Sequence, residues 1–256
     1  MKYGLYLAAA GALTSMHRQD VLSNNLANMS TVGFKPDTVA LRQTPPERER
    51  SGADTPPQLL LERLGGVVQA DDTRPTMKQG ELLRGRSAYD LAIEGDGFFV
   101  LEGGTPEDPV LTRDGRFTLD GGGRLVSAAD GRAVLGADGQ PVTVDPSQDV
   151  VIDGDGSVRQ DGGIVASIAF VDPVPGAALH KAGNGTFRLR DPGPESLSLL
   201  PPDGRIHQSM VEASAVDPIA TMNQLMAAAK SAQSNIKMMQ FHDYLSGQAI
   251  NTLGRV

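Results

Sequence analysis

The feature that most constrains this chain is a stripe of apolar and small side chains starting at residue 222. Met222, Leu225, Ala229, Ala232, Ile236, Met239, Asp243, Ser246, Ile250 and Leu253 recur at alternating three- and four-residue steps, and only Asp243 and Ser246 among them are polar. A helix of ~35 residues carrying that stripe is about 50 Å long. It is too long and too narrowly striped to lie on a small core, so it calls for another long helix as partner. Asp217-Pro218 just before it supplies an N-cap and a first helical residue.

A second stripe lies at the other end. Leu5, Ala8, Ala12, Ser15, Gln19, Leu22 and Leu26 follow the same spacing over residues 3–28. Its alanines let a neighbouring helix approach closely. Two striped ends separated by a middle of different character are most simply paired with each other and with other subunits.

That middle, residues 91–200, alternates short Val/Ile/Leu/Phe runs with Asp114-Gly115, Asp120 to Gly123, Asp130-Gly131, Asp138-Gly139, Asp153-Gly154, Asp155-Gly156 and Asp161 to Gly163. Asp-Gly suits tight hairpins because Gly accepts positive φ and Asp tolerates it. Strands between turns roughly 8–12 residues apart predict a β domain. The expected fold is therefore α+β, with N- and C-terminal helices paired as a coiled-coil-like module and a central, mainly antiparallel β domain. Its expected divisions are the N-terminal helix over 1–35, an extended arm or linker over 36–90, the β-rich domain over 91–200, and a linker with the C-terminal helix over 201–256. Within the arm, residues 44–57 combine proline and charge and bury too little apolar surface to offset their ordering entropy.

Composition narrows the function. The 256 residues carry a formal charge of −8 and no basic run, which argues against nucleic acid as a partner. Without Cys there are no disulfides, Cys-ligated zinc or thiol nucleophile. No apolar run approaches the ~20 residues that span a bilayer. The opening "MKYGLYLAAAGAL" has the make-up of a secretion signal, but its pattern runs on through His17, Arg18, Gln19 and Asp20 without a break, so no cleavage is expected.

Catalysis finds little support. Most central Asp residues are followed by Gly, and turns account for them without a catalytic carboxylate pair. "DGDGSV" at Asp153 to Val158 opens like a calcium loop, but no distal Glu completes it. His17, His180, His207 and His242 lack metal-ligand spacing. Neither a cofactor nor a metal is expected. A periplasmic carbohydrate- or calcium-binding β module and an acidic-pair enzyme are the alternatives, and neither needs long helices at both ends.

Three blocks carry a family resemblance. "NNLANMSTVGFK" (Asn24 to Lys35) resembles the N-terminal signature of the flagellar basal-body rod and hook proteins. "DLAIEGDGFFVL" (Asp90 to Leu101) with "LTRDGRFTLDGGGRLVSAADGRAVLG" (Leu111 to Gly136) is similar to their β region. "VEASAVDPIATMNQLM" (Val211 to Met226) resembles their C-terminal segment. The blocks come in the family's order and span nearly the whole chain. Ala215 stands where the family commonly has Asn, and "AAAKSAQSNIKMMQ" replaces an Arg/Tyr-rich stretch. Length and "ALHKAGNGTFRL" (Ala178 to Leu189) favour the proximal-rod type over the distal-rod type and the longer hook protein.

The resemblance implies a structural subunit, not an enzyme. Such a subunit is exported unfolded by the flagellar export apparatus without signal cleavage. It self-associates and joins other rod and hook subunits in the rod that crosses the periplasm. The assembly interface is then expected to include Asn24, Asn25, Leu26, Asn28, Gly33, Phe34, Met222, Leu225, Ala229, Ile236 and Met239. In that reading the Asn amides fix register against neighbours, Gly33 allows a backbone turn, and Phe34 plugs an apolar gap.

Overall fold

The computed structural model describes residues 2–43, 68–103, 105, 108–173, 178–190, 197–198 and 204–253. The Pro-rich stretch 44–57 lies outside them. Helix α1 spans Lys2–Ala27 and helix α2 spans Pro218–Leu253. The 36 residues of α2 make it about 54 Å long. Asp217 caps it as its sequence predicts. One carboxylate oxygen accepts the Ile219 and Ala220 amides at 3.0 Å each, and Pro218 sits where no amide is needed.

The chain divides into two compact units. The first comprises Met1–Ala27, Asp37–Arg74 and Asp217–Val256. Its two helices run antiparallel in a register fixed by three contacts. Gly4 faces the His242 ring, Gly11 faces the Asn235 amide, and the Ser15 and Ser231 hydroxyls lie 3.0 Å apart. Seven residues up α1 answer to seven residues back along α2. A two-stranded sheet of Asp37–Gln43 and Val68–Pro75 completes this unit, and the Thr14 hydroxyl donates to the Val68 carbonyl at 3.1 Å.

The face of α2 turned to α1 is offset from the expected stripe at every other position. Thr221, Ala228 and Ala232 are buried, and Leu225, Asn235, Met239 and His242 are half-buried. Met222, Ile236 and Ile250 instead point away, at 50%, 42% and 72% exposure. The reason is steric. Where two helices approach over Gly4, Ala8, Gly11 and Ala12, the facing positions must be small or flat, so volume selects the inner face ahead of hydropathy.

The second unit comprises Asn28–Pro36 and Pro75–Val216 and is mainly antiparallel β. Among the described residues its largest sheet has six strands, in the order Leu179–Gly183, Thr186–Leu189, Val110–Thr112, Phe98–Leu101, Phe170–Pro173 and Leu197–Ser198. A three-stranded sheet runs Gly163–Ser167, Ser157–Gln160, Val151–Ile152, and short pairs join Arg205–Gln208 to Leu91–Glu94 and Met210–Glu212 to Leu82–Arg84.

The strand Phe98–Leu101 is apolar throughout because both of its faces are covered. Phe99 and Leu101 enter the main core with Leu91, Ile93, Phe117 and Ile168, while Phe98 and Val100 pack with Leu111 and Phe187 on the other side. Edge-to-face ring contacts, Phe99 on Phe117 and Phe98 on Phe187, mark the two layers. The Asp residues act in turns. Asp120, Asp130, Asp138, Asp145 and Asp155 each accept the amide two residues on, and Gly123, Gly131, Gly139 and Gly156 take positive φ.

Candidate assembly site

In the first unit, α1 and α2 close largely on small and polar side chains, with Leu22 buried and Leu225 and Met239 half-buried among them, and leave many of their bulky ones outside. Tyr6, Leu7, Leu13 and Met16 on α1 are exposed, as are Ile219, Met222, Met226, Ile236, Phe241, Tyr244 and Ile250 on α2. A helix pair that buried its largest apolar groups against itself would show the opposite distribution. Of the expected interface residues, Met222 and Ile236 belong to this outer face, while Leu225, Ala229 and Met239 are half-buried.

At the end of α1, Asn24 is exposed and Leu26 half-buried, but Asn25 is buried. Its amide donates to the Asp37 carbonyl at 2.8 Å and accepts the Asp37 amide at 2.9 Å, so the side chain pairs with that backbone as a neighbouring strand would.

In the second unit, Asn28 forms a local turn with Thr31, whose amide and hydroxyl both reach it at 3.1 Å. Gly33 has φ +67°, and a Cβ there would stand 2.5 Å from the Arg113 carbonyl carbon, so no side chain fits. Its amide donates to the Glu212 carbonyl at 2.7 Å. Phe34 is half-buried, with the Lys181 ammonium 3.9 Å over its ring and its carbonyl accepting the Ala215 amide.

These contacts seat Lys35 in a buried ion cluster. The Lys35 ammonium donates to Glu212 Oε1 at 2.6 Å and to the Lys78 carbonyl at 2.9 Å. Glu212 Oε1 also accepts the Gly80 amide, and its Oε2 accepts Arg113 Nη1 at 3.2 Å. Arg113 further donates to the Ile93 and Gly95 carbonyls and lies 5.1 Å over the Phe98 ring. Side-chain exposures of 1%, 1% and 5% for Lys35, Glu212 and Arg113 put two cations and one anion out of water together. Burial pushes the Lys35 ammonium below its ordinary pKa, and the Glu212 carboxylate opposes that shift without reversing it. The Arg113 guanidinium is lowered for the same reason.

The cluster is a fastening between chain segments; each charged head makes hydrogen bonds within it, and among the described residues Arg113 Nε is the one buried nitrogen of the group without a partner. Sequence reasoning passed over Lys35, Arg113 and Glu212, although each lies in one of the three blocks that carried the family resemblance. A basic or acidic residue inside an otherwise apolar or turn-forming block was the available signal.

Two family models match the chain. One, described as the flagellar hook protein FlgE/F/G D1 domain, covers residues 92–160, and the other, flagella basal body rod protein, covers residues 5–35. These describe a class of structural flagellar proteins of the rod and hook, not of enzymes. Relatives similar along their whole length narrow the class. The chain is 32% identical to the flagellar basal-body rod protein FlgF of Caulobacter vibrioides over all of both chains, and 31% identical to that of Mesorhizobium japonicum over 99% of each. It is 29% identical to the flagellar basal-body rod protein FlgG of Bacillus subtilis over 98% of this chain and 99% of that one. The chain belongs to the flagellar basal-body rod protein family, and the proximal-rod type favoured by its sequence is the one that bears the name FlgF.

Proposed function

We propose that this protein is a structural subunit of the flagellar basal-body rod that polymerises helically through its terminal helices and passes torque between motor and hook. The outward turn of the bulky apolar side chains on α1 and α2 carries the reading, because such faces are stable in water only when a neighbour covers them. A repeated contact between different faces of identical or related subunits does not close, and it yields an open helical filament. In this assignment the neighbours are other copies and other rod and hook subunits, and the place is the rod in the periplasmic space. Delivery is by the flagellar export apparatus, without signal cleavage. The helices form the coiled-coil-like layer through which the rod is built.

Among the interface residues, Met222 and Ile236 meet neighbouring subunits directly, with Leu225, Ala229 and Met239 beside them. Asn24 and Leu26 lie at the end of the same helical layer. Asn25, Asn28, Gly33 and Phe34 act by shaping the backbone that follows α1. Electron microscopy of basal bodies from cells lacking the gene, beside cells carrying Met222→Asp with Ile236→Asp, tests this. Rods missing or cut short in both strains are expected, and intact rods in both would overturn the reading.

A further inference from the structure

The β-rich unit carries two sheet edges of opposite electrical character. Strand Gly163–Ser167 is the outer strand of its three-stranded sheet. The Ser167 carbonyl is taken by the Ala137 amide, but Gly163, Ile164 and Val165 are exposed, and among the described residues no strand pairs with their outer side. The register sets Arg159 opposite both Ile164 and Val151, so these three side chains share one face across all three strands. Ile164 and Val151 are 65% and 53% exposed, and Val165, at the bulge where the register shifts, is 50% exposed.

Charged side chains that commonly guard such an edge are absent between Gly162 and Val171. Around the patch stand the exposed Asp149, Asp155 and Asp161, while Arg159 is occupied by Asp153 at 2.8 Å. The patch is apolar on either side of the Arg159–Asp153 pair, and its remaining charges are acidic.

Strand Leu82–Arg84 is the complementary case. It pairs on one side with Met210–Glu212 and is the outer strand of that pair. Leu83 and Met77 are exposed, and the neighbouring Lys78, Arg84 and Arg86 are opposed by Glu81 and by Asp90, whose carboxylate accepts the Arg86 amide at 2.7 Å. This edge is apolar with a net basic rim, and it is as short as the free part of the other.

We propose that the Gly163–Val165 edge of one copy seats the Leu82–Arg84 edge of a second copy. Leu83 lies against Ile164 and Val165, and Arg84 and Arg86 lie against the acidic rim. Such an edge-to-edge addition pairs backbone groups left open on both strands, and the rim charges select this pairing over like with like. The contact joins two different surfaces, so it propagates from copy to copy. It deepens the reading of the chain as an assembling subunit and rests on it, but it concerns the β-rich unit and not the helices.

The chain has no Cys, so Leu83→Cys and Ile164→Cys in separate full-length copies report this contact cleanly when mixed and oxidised. The mixed disulfide is expected to exceed either like-with-like product by roughly tenfold at low salt, with the excess shrinking in high salt as the rims are screened. Products in statistical proportion, or no cross-linked product, would overturn the proposal. Truncated rods in the helix variants alongside such a result would leave the rod reading standing without this seat.

Discussion

Lys35 and Glu212 stand 177 residues apart in sequence, yet their ammonium and carboxylate meet at 2.6 Å with each side chain 1% exposed. Arg113 completes the group at 3.2 Å. Two cations share one anion, and that imbalance orders the effects of substitution. Glu212→Gln leaves both cations buried without a counter-charge and is expected to cost about 3–5 kcal/mol. Lys35→Met leaves the Arg113–Glu212 pair intact and should cost clearly less. Urea unfolding of both variants gives the order, and a Lys35→Met variant that is the less stable of the two would contradict it.

The depressed Lys35 pKa makes a pH-dependent difference. Below its folded-state pKa the buried charge is a full burden on the native state. Between that value and the unfolded 10.5, the unfolded chain binds more protons than the folded one, so this group's contribution to stability rises with pH. The stability of the natural protein minus that of Lys35→Met should therefore grow as pH climbs through the lowered folded-state pKa towards 10.5. A flat difference from paired denaturation curves would refute the assignment.

Asn25→Ala removes from a buried position the side chain that makes both hydrogen bonds to the Asp37 backbone. A loss of about 1–3 kcal/mol is expected, with faster hydrogen exchange at the Asp37 amide. Asn24→Ala, at an exposed position, should cost less than Asn25→Ala and weaken assembly. Equal thermal destabilisation by the two substitutions would remove the distinction.

The helix pair is sensitive to volume at Gly11. A Cβ there would lie 2.9 Å from the Asn235 amide nitrogen, the far end of a side chain that can turn aside. Gly11→Ala should therefore be close to neutral, its gain in helix propensity offsetting the shift. Gly11→Leu overpacks the seam at a cost of about 1–3 kcal/mol, and Asn235→Ala should recover part of it. Circular dichroism melts of the three variants measure this, and a Gly11→Leu variant as stable as the natural chain would mean the helices do not approach here.

How much of this was legible beforehand depends on what selects each residue. Both long helices, the Asp217 cap and the Asp-Gly turns follow from local rules, which act within a few residues and leave a readable pattern. The inner face of α2 does not. Met222 and Ile236 fit an apolar stripe, but the positions over Gly4 and Gly11 are taken by the flat polar His242 and Asn235, with Leu225 and Met239 half-buried on the same face, and that arrangement is a property of two helices together. The ion cluster was hidden for a related reason. Nothing local to Lys35 or Glu212 marks them for burial, which arises only when Gly33 brings its backbone against Glu212 and Arg113. For Asn25 the sequence marked a position-specific amide, and the structure gives it the Asp37 backbone of its own chain as partner.

The register that sets Ser15 against Ser231 also has a consequence in time. The two hydroxyls are 216 residues apart, so α1 is made, and waits, while nearly everything else in the chain is produced. Closing so wide a loop is entropically unfavourable before the intervening strands have condensed, and the seam's small side chains offer little to draw the ends together early. Until α2 arrives, α1 has only the Asp37–Gln43 and Val68–Pro75 strands beside it, through Asn25 on the Asp37 backbone and Thr14 on Val68, and its seam residues Ala8 and Ala12 stay uncovered. On loop entropy alone, the pairing of the two chain ends comes late.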